Sequence, residues 1–125
     1  MIAMTLKGSC HCGKTKFEVE TMPESVTACA CSYCSKVGAL WAYYPPEQFH
    51  LLTPQGEHAL YQWGSKTIEH FFCANCGVST YGISPEWVNM KPDPVKKKIG
   101  INARLFDDFD LARIPIQTID GKNLW

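Results

Sequence analysis

The chain has 125 residues, which suits a single domain spanning residues 1–125 with a modest hydrophobic core. Lysine and arginine total 12, as do aspartate and glutamate, so no net charge draws the chain toward nucleic acid or an anionic membrane. No apolar run reaches the length of a membrane span, and Met1-Ile2-Ala3-Met4 lacks the basic head of a secretory signal; a cytoplasmic location is expected, where structural disulfides are uncommon.

Most segments read as strand. Thr15 to Glu20 alternates Phe17 and Val19 with Lys16, Glu18 and Glu20, the period of a half-buried strand. Leu40 to Tyr44 is aromatic-rich and stops at Pro45-Pro46. Pro46 to Phe49 suits one helical turn before a short strand, His50 to Leu52. Ala59 to Trp63 and Thr67 to Phe72 flank Gly64-Ser65 and suggest a hairpin. Val78 to Ile83 is a further strand, and the three prolines from Pro85 to Pro94 suggest an irregular loop. Ile99 to Ala103 and Ile114 to Ile119 read as closing strands. No segment sustains a helical period, and the run Lys96-Lys97-Lys98 reads as a solvated loop or strand end rather than a polyanion site.

Seven cysteines in such a chain point to metal rather than disulfides, because an odd count leaves one thiol unpaired. They form three clusters: Cys10-His11-Cys12-Gly13, then Cys29-Ala30-Cys31-Ser32-Tyr33-Cys34, then Cys73-Ala74-Asn75-Cys76-Gly77. Zinc takes four thiolates in a closed structural site, and three plus an open position in a catalytic one. The partition that keeps every cluster whole joins Cys10, Cys12, Cys73 and Cys76 as a clamp between the two ends of a sheet. It leaves Cys29, Cys31 and Cys34 as a three-ligand site. His11 and His70 stand close enough in sequence to be rival ligands, since neutral imidazole binds zinc. Buried apolar cysteines are the competing reading of the middle cluster. Trp41, Tyr43, Tyr44, Phe71 and Phe72 suit either core or the wall of a pocket beside that cluster. No residue stands out as a general base.

At these residues the sequence resembles the glutathione-dependent formaldehyde-activating enzymes, which are related to centromere protein V. The likeness rests on Gly8-Ser9-Cys10-His11-Cys12-Gly13, on Cys29 to Cys34 with Gly38-Ala39, and on Phe72-Cys73-Ala74-Asn75-Cys76-Gly77. A weaker motif follows at Ala103-Arg104-Leu105-Phe106-Asp107-Asp108. The resemblance implies a mainly β domain of twisted antiparallel sheets with cysteine zinc knuckles. It implies two zinc ions per chain, one structural on Cys10, Cys12, Cys73 and Cys76, one catalytic on Cys29, Cys31 and Cys34. It implies glutathione as co-substrate and a carbon–sulfur lyase that forms or cleaves a thiol–formaldehyde adduct. Two other classes fit the same cysteines: a non-catalytic zinc-binding module for a protein partner, and a thiol-based redox or metal sensor.

Overall fold

The computed structural model describes residues 5–53, 58–63, 67–88, 91–107 and 109–119. Its strands are β1 (Leu6–Ser9), β2 (Lys16–Val19), β3 (Val26–Cys29), β4 (Trp41–Tyr44), β5 (Phe49–Leu51), β6 (His58–Tyr61), β7 (Glu69–Cys73), β8 (Ser79–Val88), β9 (Lys91–Asn102) and β10 (Ile116–Ile119). One short helix, α1 (Ser32–Val37), lies between β3 and β4. The strands form a three-stranded sheet in the order β1-β2-β5 and a seven-stranded sheet in the order β10-β3-β4-β9-β8-β7-β6. The fold is mainly β, as expected, and neither sheet closes into a barrel.

The core lies between the sheets. Leu6, Phe17 and Val19 from the small sheet meet Val26, Ala42, Tyr44, Phe71, Tyr81, Ile99 and Ile101 from the large one. The expected alternation holds at β2, where Phe17 and Val19 are both fully buried. Each fully buried aromatic or branched side chain contributes roughly 1.5–3 kcal/mol through removal from water. Phe17 packs edge-on to Phe106 with ring centroids 5.9 Å apart, and Phe71 stacks on Tyr81 at 4.8 Å.

Several expectations need correction. Residues 85–88 and 91–94 are not an irregular loop but the distal parts of β8 and β9, which pair as far as Val88↔Lys91, while 89–90 lie outside the described residues. Past Ile83 and Ile99, each of these strands has only the other as a neighbour among the described residues. A proline there interrupts no central ladder, and the register shift between Pro85 and Trp87 is where a bulge absorbs one. The sheets are not wholly antiparallel, because β10 runs parallel to β3. The helix α1 was not expected; Cys31 caps its N-terminus and Gly38, at φ 73°, its C-terminus. The hairpin of β6 and β7 forms, while its turn at Gly64-Ser65 lies outside the described residues.

Gly8 sits opposite Phe17 in the β1–β2 ladder. A Cβ there would lie 2.4 Å from the Phe17 ring and 2.9 Å from the Leu105 carbonyl oxygen. Gly8→Ala is therefore expected to cost about 1–3 kcal/mol by overpacking. Chemical denaturation checks it; an unchanged midpoint would mean that Phe17 has room to move.

Candidate metal centres

The register sorts the large sheet into two faces. Tyr44, Ala42 and Ile101 face the core, so Thr27, Cys29, Trp41 and Tyr43 project from the other face. A cross-strand row on that face runs Tyr43, Gly100, Gly82, His70, Tyr61. Tyr33 of α1 lies over this row, stacked on His70 at 4.0 Å and on Tyr61 at 5.8 Å. Burial on this face lowers the His70 pKa.

The first and third cysteine clusters converge. The sulfurs of Cys10, Cys12, Cys73 and Cys76 all lie within 4.8 Å of one another. Cys10 and Cys12 belong to the tight turn after β1, closed by a Gly13 N–H to Cys10 carbonyl bond with Gly13 at φ 84°. Cys73 ends β7, and Gly77, at φ 77°, closes the second turn by donating to the Cys73 carbonyl. The amide of Thr15 donates to the Cys10 sulfur at 3.3 Å, and that of Cys76 to the Cys73 sulfur at 3.5 Å. Because β1 and β7 belong to different sheets, the cluster ties the small sheet to the large one rather than two ends of one sheet.

The spacing suits a tetrahedral ion. Zinc–sulfur bonds of about 2.3 Å place tetrahedral sulfurs about 3.8 Å apart. Cys10 to Cys12 and Cys12 to Cys73 are each 3.6 Å apart. The side chain of Asn75 and the backbone N–H of Lys14 bring the exposed Cys12 thiol down to about 6. Burial pushes the Cys73 thiol up.

The middle cluster is more local. The sulfurs of Cys29, Cys31 and Cys34 also lie within 4.8 Å of one another, and among the described residues no fourth ligand joins them. Cys29 ends β3, and the sulfur of Cys31 accepts the Cys34 N–H at 3.3 Å. The cluster thus rides on the first turn of α1. Burial raises the Cys34 thiol strongly, helped by its bond to Cys31 and by the charges of Cys29 and Cys31. Burial likewise raises Cys29. At Cys31 burial also opposes ionisation, but the Cys34 amide and the neighbouring thiols outweigh it and the net shift is downward. Three sulfurs this close resist becoming thiolates together, and a divalent cation removes that resistance.

Residues around the clusters explain motifs that the cysteines alone do not. The indole N–H of Trp41 is buried with no well-formed hydrogen bond, yet it lies near enough to the Cys34 sulfur to lower its pKa. An electron-rich thiolate is the partner such a donor lacks. The tail motif also acquires a role: Arg104 Nε donates to the Gly38 carbonyl at 3.0 Å, and the Ser9 hydroxyl donates to the Asp107 carboxylate at 3.3 Å. One bond steadies the end of α1, the other the approach to Cys10. His11 and His70 join neither sulfur cluster; His11 is exposed and His70 is engaged with Tyr33. Of the aromatic residues that suited either role, Phe71 and Tyr44 are core, and Tyr44 together with Tyr43 also lines a cavity of about 450 Å³.

A mainly β domain gathers the seven cysteines into a four-sulfur and a three-sulfur cluster, either of which could hold a metal ion. The family model for the glutathione-dependent formaldehyde-activating enzyme matches residues 5–117. The chain belongs to that family of enzymes. A relative from Halomonas elongata, whose name provisionally assigns it the same activity, is 30% identical over 93 residues. That match takes in 67% of this chain, and the chain spans 59% of the length of this curated relative. A crystal structure of a Rhodobacter sphaeroides protein matches with a TM-score of 0.70 and 28% identity, over 89% of this chain and 99% of that one.

Proposed function

We propose that this chain is a zinc-dependent carbon–sulfur lyase that joins a small thiol, glutathione being the first candidate, to an aldehyde such as formaldehyde, or takes the adduct apart. The observation that carries this reading is the three-sulfur cluster, which has no fourth ligand among the described residues, in a chain of this enzyme family. Cys10, Cys12, Cys73 and Cys76 would hold a structural zinc and Cys29, Cys31 and Cys34 a catalytic one, two ions per chain. A zinc ion in the three-sulfur site supplies positive charge that favours substrate thiolate over thiol at neutral pH, and thiolate is the nucleophile in carbonyl addition.

The chain's own contribution is placement. Cys29 fixes the site to the end of β3, and Cys31 and Cys34 fix it to α1, so two rigid elements set its position. With Cys34 ionised, the buried Trp41 N–H would supply a donor to its sulfur. In addition, the thiolate sulfur bonds to the carbonyl carbon, the π pair moves to oxygen, and oxygen takes a proton from water. Cleavage is the same sequence reversed. A small molecule is the substrate this geometry suits. The chain carries no net charge for nucleic acid, and among the described residues no helix is long and apolar enough to cross a membrane.

Thiol addition to formaldehyde proceeds without a catalyst, so the test is exchange at equilibrium. NMR exchange spectroscopy of glutathione and formaldehyde is expected to show saturable acceleration by the zinc-loaded chain. Exchange no faster than the protein-free mixture would contradict the reading and favour a binding module.

A further inference from the structure

Helix α1 and its N-cap carry two of the three sulfurs of the middle cluster, yet the helix has little to hold it. It is six residues long, and none of them is buried. Isolated helices shorter than about 12–15 residues are marginal in water, so tertiary contacts must place this one. Arg104 holds its far end through the Gly38 carbonyl. At the first turn, where Cys31 and Cys34 sit, the anchor is an aromatic stack. The Tyr33 ring lies over two others, 4.0 Å from His70 and 5.8 Å from Tyr61 between centroids, with interplanar angles of 29° and 18°.

This stack reaches across the sheet. Cys29, the third sulfur, ends β3, whereas His70 and Tyr61 are register partners on β7 and β6. The strands β4, β9 and β8 separate β3 from β7. That is about 19 Å of flat sheet at the usual strand spacing. His70 leans toward β8 beside Gly82, where a Cβ would lie 3.7 Å from its Nδ1, and it offers Tyr33 a ring face. The platform is a firm one. Strand β7 is paired on both sides, with β6 and with β8, and it ends in Cys73 of the four-sulfur cluster. Tyr33 thus ties a helix that starts beside β3 to strands on the far side of the sheet.

Resting on the proposed function, we infer that Tyr33 is a positioning residue for the three-sulfur site. Its stack on His70 and Tyr61 fixes how the first turn of α1 stands on the sheet. That fixes Cys31, two residues before it, and Cys34, the residue after it, relative to Cys29. Without the stack the turn has other positions open to it. A metal that needs the ordered arrangement then binds more weakly, in proportion to the fraction of chains already so arranged. An aromatic pair typically shifts such an equilibrium by about two- to tenfold. The rings make these contacts, so phenylalanine at position 33 performs the same task.

Cobalt(II) binding to the full chain tests this, after a chelator has emptied the three-sulfur site and left zinc in the other. Thiolate-to-cobalt absorption reports the sulfur site itself, whatever the activity. Tyr33→Ala is expected to raise the half-saturating cobalt concentration about tenfold and Tyr61→Ala about threefold, with Tyr33→Phe within about twofold of wild type. The double variant is expected to match Tyr33→Ala alone, because Tyr61 acts through Tyr33; separate losses of stability would add instead. Wild-type binding by Tyr33→Ala, additive losses in the double variant, or no rescue by Tyr33→Phe would each overturn the inference while the sulfur-site reading stands. Should Tyr33→Ala fail to fold, Tyr61→Ala decides, since that side chain is 48% exposed at the sheet edge, and unchanged half-saturation there overturns the inference. If the wild type takes up no cobalt with thiolate absorption, the sulfur-site reading falls and takes this inference with it.

Discussion

Replacing Cys73 with serine is expected to unfold much of the chain at room temperature. Cys73 is fully buried at the end of β7, and its cluster ties β1 of the small sheet to the large sheet. Those sheets also meet through the core, but 125 residues leave a net stability of only about 5–15 kcal/mol. Structural zinc contributes about 10–16 kcal/mol of apparent binding free energy, which is folding free energy when the unfolded chain has no site. Losing a ligand forfeits a large share of it. Thermal and denaturant unfolding by circular dichroism checks the expectation. A variant with its midpoint within a few degrees of wild type would mean that the core holds the sheets together without this cluster.

Cys31→Ser is expected to do the opposite, keeping the fold and removing catalysed exchange. Cys31 is buried, but its structural task is to cap α1 by accepting the Cys34 N–H. A serine hydroxyl performs that task well, being a preferred N-cap, so the stability change should stay within about 2 kcal/mol. The proposed catalytic zinc loses one of three ligands, and exchange between glutathione and formaldehyde should fall to the protein-free rate. Paired unfolding and exchange measurements on this variant check both halves. Loss of stability equal to that of Cys73→Ser would make the middle cluster structural as well.

How legible each feature was in the sequence follows from how far its signal extends. At β2 the alternation around Phe17 and Val19 covers a whole strand, and burial follows it residue by residue. The cysteine clusters were equally clear, because turn spacing with Gly13 and Gly77 is local chemistry that needs no tertiary context. Strand β1 offers one large apolar side chain, Leu6, and β3 buries the adjacent Val26 and Thr27, so neither displays the alternation that β2 shows over the same length. In α1 none of the residues is buried, so the helix leaves no apolar stripe; its signals are Cys31 as a cap and Gly38 as a stop. The prolines of 85–94 suggested a loop because the sequence does not show that these positions would lack a second neighbouring strand. The face on which Trp41 and Tyr43 meet the middle cluster depends on pairing between β3, β4 and β9, which sequence spacing does not encode.

The central claim is that the two clusters are a closed and an open zinc site. Elemental analysis combined with zinc-edge X-ray absorption on freshly purified protein tests it most directly. Two zinc ions per chain are predicted, bound by sulfur at about 2.3 Å, with a lighter oxygen or nitrogen neighbour completing one of the sites. The three-sulfur site should give up its zinc first under a chelator. A folded chain with no zinc and all seven thiols free to titrate would contradict the account.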